Sequence, residues 1–255
     1  MILKEGGNVF KDAEKNPLTS RINKQDVVST LKWLEKVTGL AHADHMLGST
    51  GRAETSGDLD VAVDPKNIDK DTLVAKLVAW AAKNHPGDKP RQWVAKTGNS
   101  VHFRTPINGN EQNGHVQTDL MFGEPGWMHF VYAGGADGSQ FKGVHRAQLV
   151  ASIAKAKGLK MSQRDGLVSR ETNEVVTKDP NQIAELLLGK GANAGDMKDV
   201  ESILAKIKRL PDYDKLVADA KATFQRDGIE LPEATQYGSP QWFSEMMQAL
   251  KTDKI

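Results

Sequence analysis

Apolar positions recur along this chain with two different periods, and each period marks a different kind of element. Over 25–38 the spacing is helical: Val27, Val28, Leu31, Leu34 and Val37 fall on one face, and Gly39 is a natural stop. A second helix is expected over 71–84, with Leu73, Leu77, Val78 and Trp80 inward and His85-Pro86-Gly87 ending it. Strict alternation marks 58–63, closed by Pro65, and 115–122. Shorter strands are expected at 41–47, 92–96 and 100–105, with 108–114 joining the last of these to 115–122 as a hairpin. Residues 48–57 read as a turn, 123–140 as a glycine-rich loop, and 1–24 as a loosely structured polar arm. From Phe141 onward helical spacing dominates (141–157, 180–188, 196–208, 212–226 and 239–250), with a hairpin around 168–177. The pattern predicts an α/β (α+β) protein. A mixed β-sheet core flanked by helices occupies 25–140, and a mostly helical region occupies 141–255.

The two alternating strands carry the chemistry. In 58–63, Leu59, Val61 and Val63 share one face, while Asp58, Asp60 and Ala62 share the other. In 115–122, Val116, Leu120 and Phe122 point one way, and Gln117 and Asp119 the other. If the strands are neighbours, Asp119 stands beside Asp58 and Asp60. Hard oxygen donors so grouped suit Mg²⁺, with Mn²⁺ as a substitute, and room for two ions would serve phosphoryl transfer. The preceding turn supplies a phosphate-binding element: Gly48 lets backbone approach a phosphate, Ser49 and Thr50 offer hydroxyls and amides, and Arg52 offers charge. The alternative is a surface acidic rim.

Pairing apolar residues across the hairpin matches Val101 with Leu120, Phe103 with Thr118 and Thr105 with Val116. His102 then lies opposite Asp119 and Arg104 opposite Gln117, both on the acid face. His102 or Arg104 is therefore expected to contact substrate or orient the acid, against a solvated strand face as the alternative. Residues 141–164 hold six basic residues and no acid. Lys142 and Arg146, one helical turn apart, are candidates for binding the triphosphate or a nucleic-acid acceptor, against a solvated helix face. His42 and His45 fall on opposite sides of the expected strand, which argues against a metal site there.

Composition narrows the partners. With 34 Lys and Arg against 33 Asp and Glu, the net charge is +1, too little for a protein that coats nucleic acid nonspecifically. The absence of cysteine excludes disulfides, thiolate catalysis and cysteine zinc sites, and fits a cytoplasmic location. No signal peptide or membrane span is expected from the hydropathy.

The Gly48-Ser49 turn, the Asp58-x-Asp60 strand and the later Asp119 together resemble the DNA polymerase β-like nucleotidyltransferase superfamily over about residues 25–125. LGSTGRAETSGDLDVAVD, VQTDLMF and FKGVHRAQL further resemble small nucleotidyltransferase-like proteins of tailed bacteriophages, which would imply the host cytoplasm. The resemblance implies that Asp58 and Asp60 bind both metals, that Asp119 binds the catalytic metal and helps activate an acceptor hydroxyl, and that Ser49 contacts the triphosphate. The spacer from Ser49 to Asp58 is short and lacks the Ala-Arg-Gly of members that modify small molecules. The acceptor therefore stays open among an RNA or tRNA end, a protein and a small molecule, as does the oligomeric state. A non-catalytic binding or structural module on the same fold, such as a phage assembly component, is the alternative function. A metal-dependent phosphohydrolase is less favoured, because the usual His-Asp pairs are absent.

Overall fold

The computed structural model describes residues 8–133, 139–236 and 238–252. The chain is a mixed α/β protein that divides into two compact units, Met1–Tyr132 and Ala133–Ile255. The division thus falls slightly before the expected boundary at 140.

In the first unit, β1 (Ile22–Asn23) leads into α1 (Lys24–Thr38). Gly39 ends that helix in the left-handed region at φ 75°, its N–H donating to Glu35 O. Next come β2 (Thr55–Ser56), β3 (Asp58–Val63) and α2 (Lys70–Asn84). Asp69 caps α2 by accepting from Thr72 N. β4 (Val94–Thr97), β5 (Ser100–Pro106), β6 (His115–Phe122) and α3 (Pro125–Val131) complete the unit.

The main sheet has the order β3-β6-β5-β4. β3 runs parallel to β6, and β6 runs antiparallel to β5. One face is covered by α1 and α2. Leu31 and Leu34 from α1 and Leu73 and Leu77 from α2 close over Leu59, Val61, Val101, Phe103, Val116 and Leu120. Each of these leucines is fully buried, which is worth about 1.5–3 kcal/mol apiece relative to exposure. Within this core face the hydroxyls of Thr105 and Thr118 pair at 2.7 Å, which satisfies two polar groups that burial would otherwise strand. The acids are left on the opposite face. There Ala62 packs with Leu47 and Met128, so α3 covers one end of that face.

Three local expectations are corrected. The N-terminal arm is packed from residue 8: Phe10 and Ile22 are 1% exposed, and Ile22 pairs with Ser56. The expected strand at 41–47 is instead a short 3₁₀ turn, Ala43–His45, followed by a single bridge from Met46 to Val61. The glycine-rich segment after 123 holds α3, which begins because the Glu124 carboxylate accepts from Gly126 N and Trp127 N, with Pro125 in the first turn.

The second unit contains α4 (Gly143–Ala156), a three-stranded antiparallel sheet of β7 (Leu159–Ser162), β8 (Gly166–Ser169) and β9 (Val175–Thr177), and then helices. These are α5 (Pro180–Leu188), α6 (Val200–Ile207), α7 (Tyr213–Val217), α8 (Lys221–Arg226) and α9 (Pro240–Thr252). The expected helix over 212–226 is thus two short ones, and the hairpin gains a third strand. No helix among the described residues is long and apolar enough to cross a membrane.

Candidate metal and phosphate site

Register places the acids. Asp60 on β3 pairs with Asp119 on β6, and Asp58 pairs with Gln117. Because the pairing is parallel and in phase, all three carboxylates project from one face, and they offer ligand oxygens within 4.8 Å of one another. The cluster could hold a metal ion.

The electrostatics of the cluster are unfavourable without a cation. Asp60 is partly buried, and among the described residues its carboxylate accepts no hydrogen bond. Burial, then the charges of Asp58 and Asp119, push its carboxyl up to about 8. The Tyr132 hydroxyl is pushed up to about 12, by burial and then by the charge of Asp60.

Asp119 is held differently. Its Oδ1 lies 2.7 Å from His102 Nδ1 and accepts from Gln117 Nε2 at 2.9 Å. His102 is itself fixed, its Nε2 lying 2.6 Å from Thr97 Oγ1. Gln117 Oε1 accepts from Val9 N at 2.8 Å, so the N-terminal segment buttresses the third acid. Both bonds fall on Oδ1, which leaves Oδ2 as the oxygen for a ligand.

The turn that follows Met46 packs directly against Asp60. Leu47 N donates to Asp60 O at 2.8 Å, and Asp60 N donates to Thr50 Oγ1 at 2.9 Å. Gly48 has φ +58°, and a Cβ there would sit 3.8 Å from Asp60 Oδ2. A glycine therefore both permits the left-handed turn and keeps the space beside the carboxylate open. Its N–H donates to Tyr132 O at 3.1 Å, which ties the turn to the end of α3. Ser49 is exposed, and among the described residues its hydroxyl has no partner. Arg52 is exposed and has no carboxylate partner among them either. His129 on α3 is held below the ordinary histidine value by burial, then by the charges of His45 and Arg52.

Asp58, Asp60, Asp119, Gly48, Ser49, Thr50 and His102 thus converge. Thr50 is spent on Asp60 N and 4% exposed, so it is a structural part of the turn rather than a phosphate donor. Arg104 pairs with Gln117 as expected, but its guanidinium lies over the Trp93 ring at 4.5 Å, one step along the strand from His102. Arg146 is a correction. It is 3% exposed, and its Nε donates to Met197 O at 2.6 Å, so it serves the core of the second unit. Lys142 precedes α4 in the same unit and is 3.6 Å from Asp227. His42 is buried, its Nε2 2.7 Å from Thr38 Oγ1, and burial pushes it down to about 4; it is a core histidine.

Tyr132 and His129 had no signal in the sequence pattern, since both lie in a segment whose glycines suggest a loop. The chain matches no known family model, and no curated protein matches it significantly.

Proposed function

We propose that this protein is a Mg²⁺-dependent nucleotidyltransferase of the polymerase β-like kind, moving a nucleoside monophosphate from an NTP to an acceptor hydroxyl. One observation carries the reading. Among the described residues, Asp60 is a partly buried carboxylate without a hydrogen bond, set between two other acids, and beside it is a glycine turn whose Arg52 has no carboxylate partner. Acids so placed raise one another's proton affinity unless a cation joins them. A divalent ion flanked by phosphate-binding groups satisfies both halves of the arrangement.

The donor set fits Mg²⁺: three carboxylates, all oxygen, from Asp58, Asp60 and Asp119. When bound, the metal supplies charge neutralisation of the phosphates and a lowered pKa for the attacking hydroxyl. The chain does the rest. Ser49 and the backbone at Gly48 hold the terminal phosphates, and Arg52 offsets their charge. Asp119, its Oδ1 held by His102 and Gln117, keeps Oδ2 oriented to take the hydroxyl proton. The new bond joins the acceptor oxygen to the α-phosphorus, the bond from that phosphorus to the bridging oxygen breaks, and pyrophosphate leaves.

The test is incubation with each α-labelled NTP, Mg²⁺ and a mixture of RNA and protein. Transfer of label with stoichiometric pyrophosphate release is expected, and Asp119→Asn should lower it by about 100-fold or more. Failure to bind any NTP in the presence of Mg²⁺ would sink the proposal.

A further inference from the structure

A second anion-binding group lies on the same face of the same sheet. The rows across the sheet are Asp60–Asp119–His102 and, next to it, Asp58–Gln117–Arg104. Arg104 is therefore two residues along β5 from His102, about 7 Å, and two strands from Asp58, about 10 Å.

Arg104 is partly buried and has no carboxylate within ion-pair distance among the described residues. The two acids whose charge reaches it make their short contacts elsewhere. Asp88 accepts from Trp93 Nε1 at 2.8 Å, and Glu111 lies 2.8 Å from His85 Nε2. The guanidinium rests on Trp93, and His85 stacks on the same ring at 3.9 Å. Arg104 Nη2 also donates to His115 Nδ1 at 3.3 Å, which makes His115 Nε2 the protonated nitrogen. Among the described residues, Arg104 Nε and His115 Nε2 are buried donors with no hydrogen-bond partner. Burial, then the charges of Arg104 and His85, hold His115 down at about 4, so at neutral pH it stays a neutral donor beside a permanent cation. A cation left without its acid and accompanied by unsatisfied donors is arranged for an anion that is not part of the fold.

Its position says which anion. The Gly48–Arg52 turn flanks the acids at the β3 edge, and Arg104 flanks them from β5, on the far side of Asp119. With the triphosphate between the turn and the acids, a cation beyond Asp119 is placed for a second phosphate, that of the molecule bringing the hydroxyl. A guanidinium fork matches a phosphate better than a lone carbonyl or hydroxyl.

We propose, building on the nucleotidyltransferase reading above, that Arg104, backed by Trp93 and His115, binds the last backbone phosphate of the acceptor, which is the 3′ end of a single-stranded nucleic acid. The 3′ oxygen then reaches the α-phosphorus at the acids, pyrophosphate leaves, and the 3′ proton passes to Asp119. Arg104 selects the acceptor and Arg52 the donor.

The test is fluorescence anisotropy with a short 5′-labelled oligoribonucleotide bearing a free 3′ hydroxyl, in Mg²⁺ and without NTP. Arg104→Gln should weaken binding about tenfold or more and lower the slope of log affinity against log salt by about 0.7. Arg104→Lys should retain the slope and recover part of the affinity. The wild-type protein gives an independent measurement: an oligonucleotide whose 3′-terminal linkage is an uncharged methylphosphonate should bind as weakly as the native one binds Arg104→Gln, and the two changes should not add. Equal affinity of the wild type for charged and uncharged linkages overturns the proposal. So does absence of oligonucleotide binding, or transfer of label to protein alone. Binding of labelled NTP with Mg²⁺, measured in parallel, distinguishes these failures from failure of the nucleotidyltransferase reading itself.

Discussion

Replacing Asp60 with asparagine is expected to stabilise the metal-free protein while abolishing its chemistry. Asparagine keeps the shape and removes the charge. In the folded chain the Asp60 carboxyl is pushed up to about 8 from 3.8, which corresponds to roughly 5–6 kcal/mol at about 1.4 kcal/mol per pH unit. Solvent reaching the partly exposed carboxylate screens some of this, leaving about 2–4 kcal/mol. The sign follows from proton binding. Between pH 4 and 8 the folded state holds a proton at Asp60 that the unfolded state has released, so stability falls as pH rises through that window and is flat above it. Asp60→Asn does not follow this decline. At pH 8.5 in chelator it should therefore melt about 8–16 °C above the wild type, and the gap should close toward pH 4. Tryptophan fluorescence is the appropriate assay, because Trp33, Trp80, Trp93 and Trp127 all belong to the first unit. Mg²⁺ at a hundredfold excess over its dissociation constant should restore about 2.7 kcal/mol to the wild type and much less to the variant. If the two proteins melt together at pH 8.5 without metal, the repulsion argued for the acid cluster does not exist.

Three further substitutions separate the roles of the surrounding residues. His102→Ala removes the donor that fixes Asp119 Oδ1 and should lower kcat about 10–100-fold with little change in KM for NTP, measured by pyrophosphate release. Gly48→Ala forces a side chain into the left-handed region, so it should cost about 1–2 kcal/mol in thermal unfolding and raise KM for NTP. Arg146→Gln should destabilise the second unit by about 1–3 kcal/mol, because it leaves Met197 O without its buried donor. KM for NTP should be unaffected, which a triphosphate-binding arginine would contradict.

The parts of the fold legible in the sequence are those in which one period decides everything. Leu59, Val61 and Val63 alternate with Asp58 and Asp60, and a shift of one residue would bury the acids; the register had a single solution. The same holds for the hairpin, where Val101, Phe103 and Thr105 pair with Leu120, Thr118 and Val116 as the apolar match requires. Alternation put Asp58 and Asp60 on one face and the hairpin set His102 opposite Asp119; that β3 neighbours β6, which joins the two pairs, comes from the structure. What stayed hidden depends on contacts between distant segments. Phe10 and Ile22 are isolated apolar residues in polar surroundings, and nothing local shows that the core receives them. Glu124 starts a helix in a glycine-rich stretch through a capping bond that composition does not reveal. Arg146 lies on a basic helix, and only the Met197 carbonyl from another element explains why it is inside. Arg104 was correctly assigned to the acid face, but its Trp93 platform comes from the residue just before β4, which alternation along β5 does not report.

The order of the main sheet has a consequence for how the protein is made. β6, the last of its four strands to leave the ribosome, is inserted between β3 and β5, which have no partnership with each other before it arrives. A nascent chain ending before His115 has Asp58 and Asp60 on an unpaired edge strand and His102 on β5, but not yet the third acid that His102 orients. The closing of the sheet and the convergence of negative charge are one event, late in synthesis and dependent on a contact between strands more than fifty residues apart. A cation held by the three acids would therefore favour the last step of folding, and its capture would report that the sheet has closed.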